Sequence, residues 1–327
     1  MFSVVLYSLV LARNVSGTPV AASDAAPRRR APSGDAVECS GHGGIVGRVT
    51  SAFSSSVLTL EKDPDGFALL WLDRPEARNA MGRAFWADLP AAMAAAADDP
   101  EVRAVVVAAR GPHFSVGLDL KDMAGVLAHE AGAAPGSPAA RAWATRRSVM
   151  AMQGAVTAVA ECPKPVIAAV HGLCLGGGMD LVTACDLRLA SSDATFSVRE
   201  TRVAIVADLG TLQRLPRIVG AGHAAELALT GRDVDSGRAC AIGLVNTVFP
   251  DRDGLLVGAR ALAAELAALS PLAVQGTKAV LAANDGRTVR EGLDYVATWN
   301  AGMLASNDLT EAMTAFFEKR PPRFTGD

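Results

Sequence analysis

The chain is 327 residues long, half hydrophobic and 20% charged, with a formal net charge of −3 at pH 7. This length admits one large domain or two, and interspersed charges of nearly balanced sign give no electrostatic attraction for nucleic acid. No apolar run is long enough to span a bilayer, so no membrane association is expected.

Residues 1–50 differ in character from the rest. The apolar stretch 2–12 lacks the basic residues that open a signal peptide, and Ala25-Ala-Pro-Arg-Arg-Arg-Ala-Pro-Ser-Gly34 has the composition of disordered chain. A non-folding extension is expected here, in a cytoplasmic protein. Because no acid precedes Asp24, a mitochondrial transit peptide is the alternative. The five cysteines, Cys39, Cys162, Cys174, Cys185 and Cys240, are odd in number and form no Cys-x-x-Cys pair, as suits a reduced compartment. Neither they nor the five histidines have metal-ligand spacing, and no metal is expected.

The folded part opens with a hairpin, in which strands at 56–60 and 67–72 flank the turn signal Asp63-Pro-Asp-Gly66. After Pro75 the pattern turns helical, with Phe85, Leu89 and Met93 recurring at i+4 up to Asp98-Asp-Pro100. An apolar strand is predicted at 104–109. The Ala/Gly/Pro-rich stretch 125–138 predicts a mobile loop, and 139–160 a helix with Val149, Met152, Val156 and Val159 on one side. The run Pro165-Val-Ile-Ala-Ala-Val-His171-Gly-Leu-Cys-Leu-Gly176-Gly177-Gly178-Met-Asp180 reads as a strand buried on both faces, a glycine turn and the start of a helix over 179–184. Strands are expected at 186–190 and 195–198. A helical pattern over 213–229 is broken at Pro216 and Gly220, and a turn beginning at Ala239 feeds a strand ending at Phe249. Four helices close the chain, at 253–269, 271–282, 289–303 and 308–317. Strands alternating with helices, then helices alone, predict an α/β core over 51–250 and a helical region over 251–327.

Two segments carry chemistry. In the second glycine turn, the helix behind Gly176-Gly177-Gly178 points its free N–H groups and positive dipole end into the gap, with Asp180 in its first turn. His113-Phe-Ser-Val-Gly117-Leu118-Asp119-Leu120 likewise follows a strand and ends in a glycine turn. Two such turns can each offer one N–H to the same oxygen, the construction of an oxyanion hole.

Together these segments resemble the crotonase (enoyl-CoA hydratase/isomerase) superfamily over about 57–324, including Arg74-Pro-Glu-Ala-Arg-Asn79-Ala-Met81 near the start. The resemblance implies repeated ββα units forming a spiral core, with C-terminal helices that assemble trimers, or hexamers of paired trimers. It places the oxyanion hole at the N–H groups of Leu118 and Gly177. It makes the substrate an acyl-CoA thioester, with no separate cofactor. Ser115-Val116 stands where the family usually has a small residue before the glycine, which predicts a narrower site.

The family places acid/base residues at the positions of Asp180 and Glu200. Hydratases carry Glu at both and glycine where this chain has Asp208; Asp, Glu and Asp at this spacing resemble the Δ3,5-Δ2,4-dienoyl-CoA isomerases. The chemistry needs the third acid. Moving two conjugated double bonds removes a proton beside the thioester and returns one at the far end of the diene, and one carboxylate cannot reach both. The resemblance implies Glu200 for the proton on C2, Asp208 for the one on C6 and support from Asp180, with Val203, Ile205 and Val206 raising carboxyl pKa values. Plainer roles stand beside these: Asp208 as the cap of a helix beginning near Gly210, Asp180 serving a helix dipole, Glu200 ion-paired with Arg199 or Arg202. Asp119, His113 and His171 are expected to be structural.

For the CoA phosphates, Arg74 and Arg78 are the basic candidates. The C-terminal Phe316-Phe-Glu-Lys319-Arg320 resembles the family segment that reaches a neighbouring subunit's CoA, so Phe316 and Lys319 are candidates there; a cationic helix end is the plainer reading. Gly176-Gly-Gly178 lacks the spacing of a P-loop or Rossmann fingerprint, so nucleotide hydrolysis and NAD chemistry are not expected. Two readings compete with the isomerase: a hydratase or other acyl-CoA enzyme using Asp180 and Glu200, and a non-catalytic acyl-CoA-binding protein.

Overall fold

Strands β2 (Leu58–Asp63) and β3 (Phe67–Leu72) pair antiparallel from Leu58 with Leu72 to Asp63 with Phe67, around the predicted turn. The computed structural model describes residues 50–123 and 137–327. The expectation for residues 1–50, Thr50 apart, and that for the loop at 125–138, its last two residues apart, lie outside the described residues.

An added strand, β1 (Thr50–Ser54), extends the hairpin, and β4 (Ala104–Ala109), β5 (Val166–Val170), β7 (Leu187–Ser191) and β10 (Thr247–Phe249) continue it in parallel. The large sheet therefore runs β1-β2-β3-β4-β5-β7-β10. Its central strands are buried on both faces, which is why they read as continuous apolar runs. Phe67, Leu69, Trp71, Ala104, Val106, Ala108, Ile167 and Ala169 pack toward helix α7 (Arg252–Ala267) through its Leu255, Ala259 and Ala263. The opposite residues, Ala68, Leu70, Leu72, Val105, Val107, Val166 and Ala168, enter a larger core with helices α1 (Arg83–Asp98) and α2 (Pro138–Ala160).

A second, three-stranded sheet is built from β6 (Leu173–Leu175), β8 (Thr195–Ser197) and β9 (Val234–Asp235). After β5 the chain steps into β6 and then helix α3 (Gly177–Ala184); after β7 it steps into β8. This alternation between sheets is the ββα repeat. Helices α4 (Thr211–Val219), α5 (Ala221–Thr230) and α6 (Ser236–Ala241) follow, and α8 (Pro271–Ala283), α9 (Val289–Met303) and α10 (Asn307–Glu318) end the chain. Among the described residues no single helix is long and apolar enough to cross a membrane.

Several predicted boundaries move. Pro75–Ala77 forms only a 3₁₀ turn, closed by Arg78 and Asn79 with left-handed φ of 52°, so the helix starts at Arg83. Pro216 does not break α4: near the end of a nine-residue helix it forfeits a single backbone hydrogen bond. The break falls at Gly220 alone. Strands β1, β6 and β9, of two to five residues, were too short to show a period in the sequence.

Candidate active site

Strands β4 and β5 are parallel neighbours, with Val105 opposite Val166 and Val107 opposite Ala168. Their continuations beyond the sheet stay paired: Phe114 N donates to His171 O (2.9 Å), Ser115 N to Leu173 O (2.9 Å) and Leu175 N to Ser115 O (3.0 Å). That register brings the two glycine turns together. A Cβ on Gly117, whose φ is +86°, would lie 2.7 Å from Leu175 O and 3.2 Å from Gly177 N, so only glycine fits there. The N–H groups of Leu118 and Gly177 donate to no acceptor among the described residues, Gly177 being the first residue of α3.

The frame around these donors is polar and buried. Asn79 donates to Arg110 O (2.9 Å) and His113 O (2.8 Å) while accepting from Arg74 N (2.9 Å). Ser115 Oγ donates to Asn79 O (2.8 Å) and accepts from Gly117 N (3.1 Å). The serine thus faces the framework, and Val116, next to the glycine, is half-buried. Met81 Sδ and Trp86 Cη2 lie 3.0 and 3.7 Å from where a Cβ of Gly177 would stand. None of these framing roles was read from the sequence; the signal available was Asn79 itself, a polar residue next to the hairpin that ends up 4% exposed.

The three acids gather at the same place. Asp180, 1% exposed, accepts from both Thr211 N and Thr211 Oγ1 at 2.7 Å, so it fastens the start of α4 rather than merely facing the α3 dipole. Burial raises its pKa, and the nearby Asp208 carboxylate adds to the shift. Glu200 opens a 3₁₀ turn, Glu200–Val203, with its Oε1 3.4 Å from the Cβ position of Gly176 and its buried Oε2 without a hydrogen-bond partner among the described residues. Burial, then the charges of Asp180 and Asp208, push its pKa up to about 7. Among the described residues it has no ion pair: Arg199 instead grips both oxygens of Asp233 at 2.7 Å. Asp208 is exposed as a residue, yet its carboxyl is packed closely enough that desolvation raises its pKa. Nor does it cap α4: Thr211 N at the helix start donates to Asp180 instead, and the N-cap is Gly210.

A family model described as enoyl-CoA hydratase/isomerase matches residues 62–327. The chain belongs to the enoyl-CoA hydratase/isomerase family. It is 44% identical over 269 residues to the peroxisomal Δ3,5-Δ2,4-dienoyl-CoA isomerase of Arabidopsis thaliana, covering 82% of this chain and 95% of that one. It is 45% identical over 251 residues to the mitochondrial Δ3,5-Δ2,4-dienoyl-CoA isomerase of Rattus norvegicus, covering 76% of each. Among solved structures, a putative enoyl-CoA hydratase from Streptomyces coelicolor A3(2) superposes with a TM-score of 0.74 at 34% identity, over 85% of this chain and all of that one.

The basic candidates in this family member are dispersed. Arg74 is bound to Asp119 (2.7 Å), which also accepts from Lys121 N and Asp122 N and so is structural, as expected. Arg78 is exposed and pairs with no acid among the described residues. Phe316, 44% exposed, and Lys319, the left-handed C-cap, lie on α10, whose hydrogen bonds do not reach the glycine turns. His171 and His113 serve the frame, His171 Nε2 lying 2.8 Å from Gly111 O and His113 Nδ1 accepting from Leu173 N (3.3 Å).

The raised pKa of Glu200 has a consequence for stability. Between about pH 4.5 and 7 the folded chain holds this proton more tightly than the unfolded one, so stability falls as pH rises through that window. The loss is about 3 kcal/mol, at about 1.36 kcal/mol for each tenfold change in proton affinity. Glu200→Gln, which cannot ionise, is expected to unfold at higher denaturant concentration than the parent at pH 8 and at the same concentration at pH 4.

Proposed function

We propose that this protein isomerises 3,5-dienoyl-CoA thioesters to 2,4-dienoyl-CoA thioesters. The observation that carries the reading is the grouping of three carboxyls, two of them receiving no hydrogen bond from another residue, beside two backbone N–H groups without an acceptor, among the described residues. The isomerase relatives support it. In this mechanism the thioester oxygen accepts from Leu118 N–H and Gly177 N–H. Glu200, ionised, takes a proton from C2; the C2 electron pair delocalises through the diene, and the hole stabilises the dienolate oxygen. Asp208, protonated, then gives its proton to C6. Glu200 is left protonated and Asp208 ionised, and exchange with solvent resets both. Asp180 orders the chain just after Asp208 through Thr211. The step is a proton transfer on the thioester itself, so CoA enters as part of the substrate and no further cofactor takes part.

Arg78, exposed and without an acid partner among the described residues, would meet the CoA phosphates, and Arg74, already bound to Asp119, is the lesser candidate. Phe316 and Lys319 would serve a neighbouring subunit's CoA in a trimer, or a hexamer of paired trimers. Exposed apolar residues on the last helices and their ends support assembly: Leu293 is 63% exposed, Met303 49%, Leu304 57% and Phe317 73%. Light scattering at micromolar concentration is expected to give a trimer mass or its double, and a stable monomer would contradict this. The relatives' peroxisomal and mitochondrial names favour one of those compartments over the cytoplasm.

A paired assay tests the activity. The chain should convert 3,5-dienoyl-CoA, followed by the absorbance of the conjugated 2,4-dienoyl thioester, faster than it hydrates a 2-enoyl-CoA. The reverse order would favour the hydratase, and binding without turnover the non-catalytic protein. Gly177→Pro should then lower turnover by roughly 10²–10³ while acyl-CoA binding weakens less. Proline suits the first position of a helix, but its Cβ would press on Met81 Sδ (3.0 Å) and its ring would restrict Gly176, so the result counts in a variant that remains folded and still binds acyl-CoA. Full activity in a folded variant would exclude Gly177 from the hole.

A further inference from the structure

The chain before Asp208 is only partly covered, although Ile205 N donates to Glu200 O (2.9 Å) and Ala207 is buried. Val203 is 53% exposed and Val206 72%, and Ala204 is exposed with a left-handed φ of 58°. From Asp208 onward every residue is fastened. Gln153 Nε2 donates to Asp208 O (2.7 Å), and Arg214 Nη1 to Leu209 O (3.3 Å). Gly210 O accepts from Gln213 N and Arg214 N (3.1 and 2.9 Å), and Thr211 is bound to Asp180. Arg214 also reaches α2, donating from Nη2 to Thr157 Oγ1 (3.2 Å). Gln153 and Thr157 are four residues apart and so share one face of α2. The guanidinium lies against the face of Gly210: a Cβ there would stand 1.9 Å from Arg214 Nη1, and the φ of +127° also demands glycine. Arg214 makes no salt bridge within 4.0 Å among the described residues, so its hydrogen-bonding groups are committed to this loop and to α2.

We propose that Arg214, with Gln153 and Thr157 on α2, forms a clamp that sets the position of Asp208 and thereby governs proton delivery to the distal end of the diene. Arg214 is a positioning residue; it touches neither substrate nor the transferred proton. Glu200 stands outside the clamp, on a turn fixed separately by the Arg199–Asp233 pair and by Thr201 Oγ1 donating to Ala228 O (3.2 Å). The clamp should therefore act on the C6 step and spare the C2 step. This inference rests on the isomerase reading.

The test compares two rates in each variant: isomerisation of 3,5-dienoyl-CoA and exchange of its C2 protons with solvent. Arg214→Gln is expected to lower kcat for isomerisation by roughly 10- to 100-fold, the range expected for an ångström-scale misplacement, with KM changed less than threefold. C2 exchange should fall much less, so the ratio of the two rates drops at least tenfold. Arg214→Lys keeps the charge but cannot bridge Leu209 O and Thr157 together, and should show the same drop. Thr157→Val removes only one acceptor and should show a smaller drop in the same direction. Gly210→Ala, which pushes the guanidinium away from the other side, should imitate Arg214→Gln. An equal fall of both rates, an unchanged ratio, or loss of the fold in both Arg214→Lys and Thr157→Val would overturn the clamp and make these residues scaffold. A parent chain inactive on 3,5-dienoyl-CoA would instead overturn the isomerase reading, which separates the two failures.

Discussion

Glu200→Gln should abolish both isomerisation and C2-proton exchange, lowering each by roughly 10²–10⁴, the usual contribution of a positioned general base. The amide matches the carboxylate in size but cannot take a proton. Binding of the thioester should persist, because the N–H groups of Leu118 and Gly177 and their frame do not depend on Glu200. In the parent, kcat/KM should be bell-shaped in pH, since Glu200, whose pKa burial pushes up to about 7, must be ionised while Asp208 is still protonated. A Gln variant with more than a tenth of the parent's exchange rate would assign the C2 proton to another group. A parent profile already flat by pH 5 would do the same.

The second large effect is expected at Asp208. Asp208→Asn should lower isomerisation by roughly 10²–10⁴ while C2 exchange stays measurable, because Glu200 and the N–H pair remain. Folding should change by less than about 1 kcal/mol, since the carboxylate caps no helix and no other residue donates to it among the described residues. The contrast with Glu200→Gln is the point: one variant stops both exchanges, the other stops only the distal one. Wild-type-like isomerisation by the Asn variant would leave the hydratase-like reading in front.

Much of this was legible in the sequence, for definite physical reasons. The two strand-to-glycine segments announce their turns because no other residue fits where a neighbouring backbone passes within 3 Å, as at Gly117. Strands β4 and β5, continuous in Val, Ile and Ala, could only be doubly buried. The acids showed as residue types, but their surroundings did not. That Asp180 fastens Thr211, that Glu200 is left unpaired because Arg199 turns to Asp233, and that Asp208 caps nothing are facts of tertiary placement. Arg214 and Gln153 were invisible for the same reason, being 61 residues apart and brought together by the Asp208 loop and by Thr157. Arg74 shows the opposite failure, a basic residue well placed in the motif whose guanidinium is already taken by Asp119.

The two-carboxylate mechanism is tested most directly by turnover in D₂O, starting from 3,5-dienoyl-CoA with protium at C2. Glu200 and Asp208 are separate groups, and Asp208 is exposed, so its proton exchanges with solvent before it reaches carbon. The 2,4-dienoyl-CoA product of the first turnover should carry one deuterium at C6. Recovery of the C2 protium at C6 would mean that one base serves both ends of the diene, and absence of any 2,4-dienoyl product would contradict the isomerase reading and leave the hydratase in front.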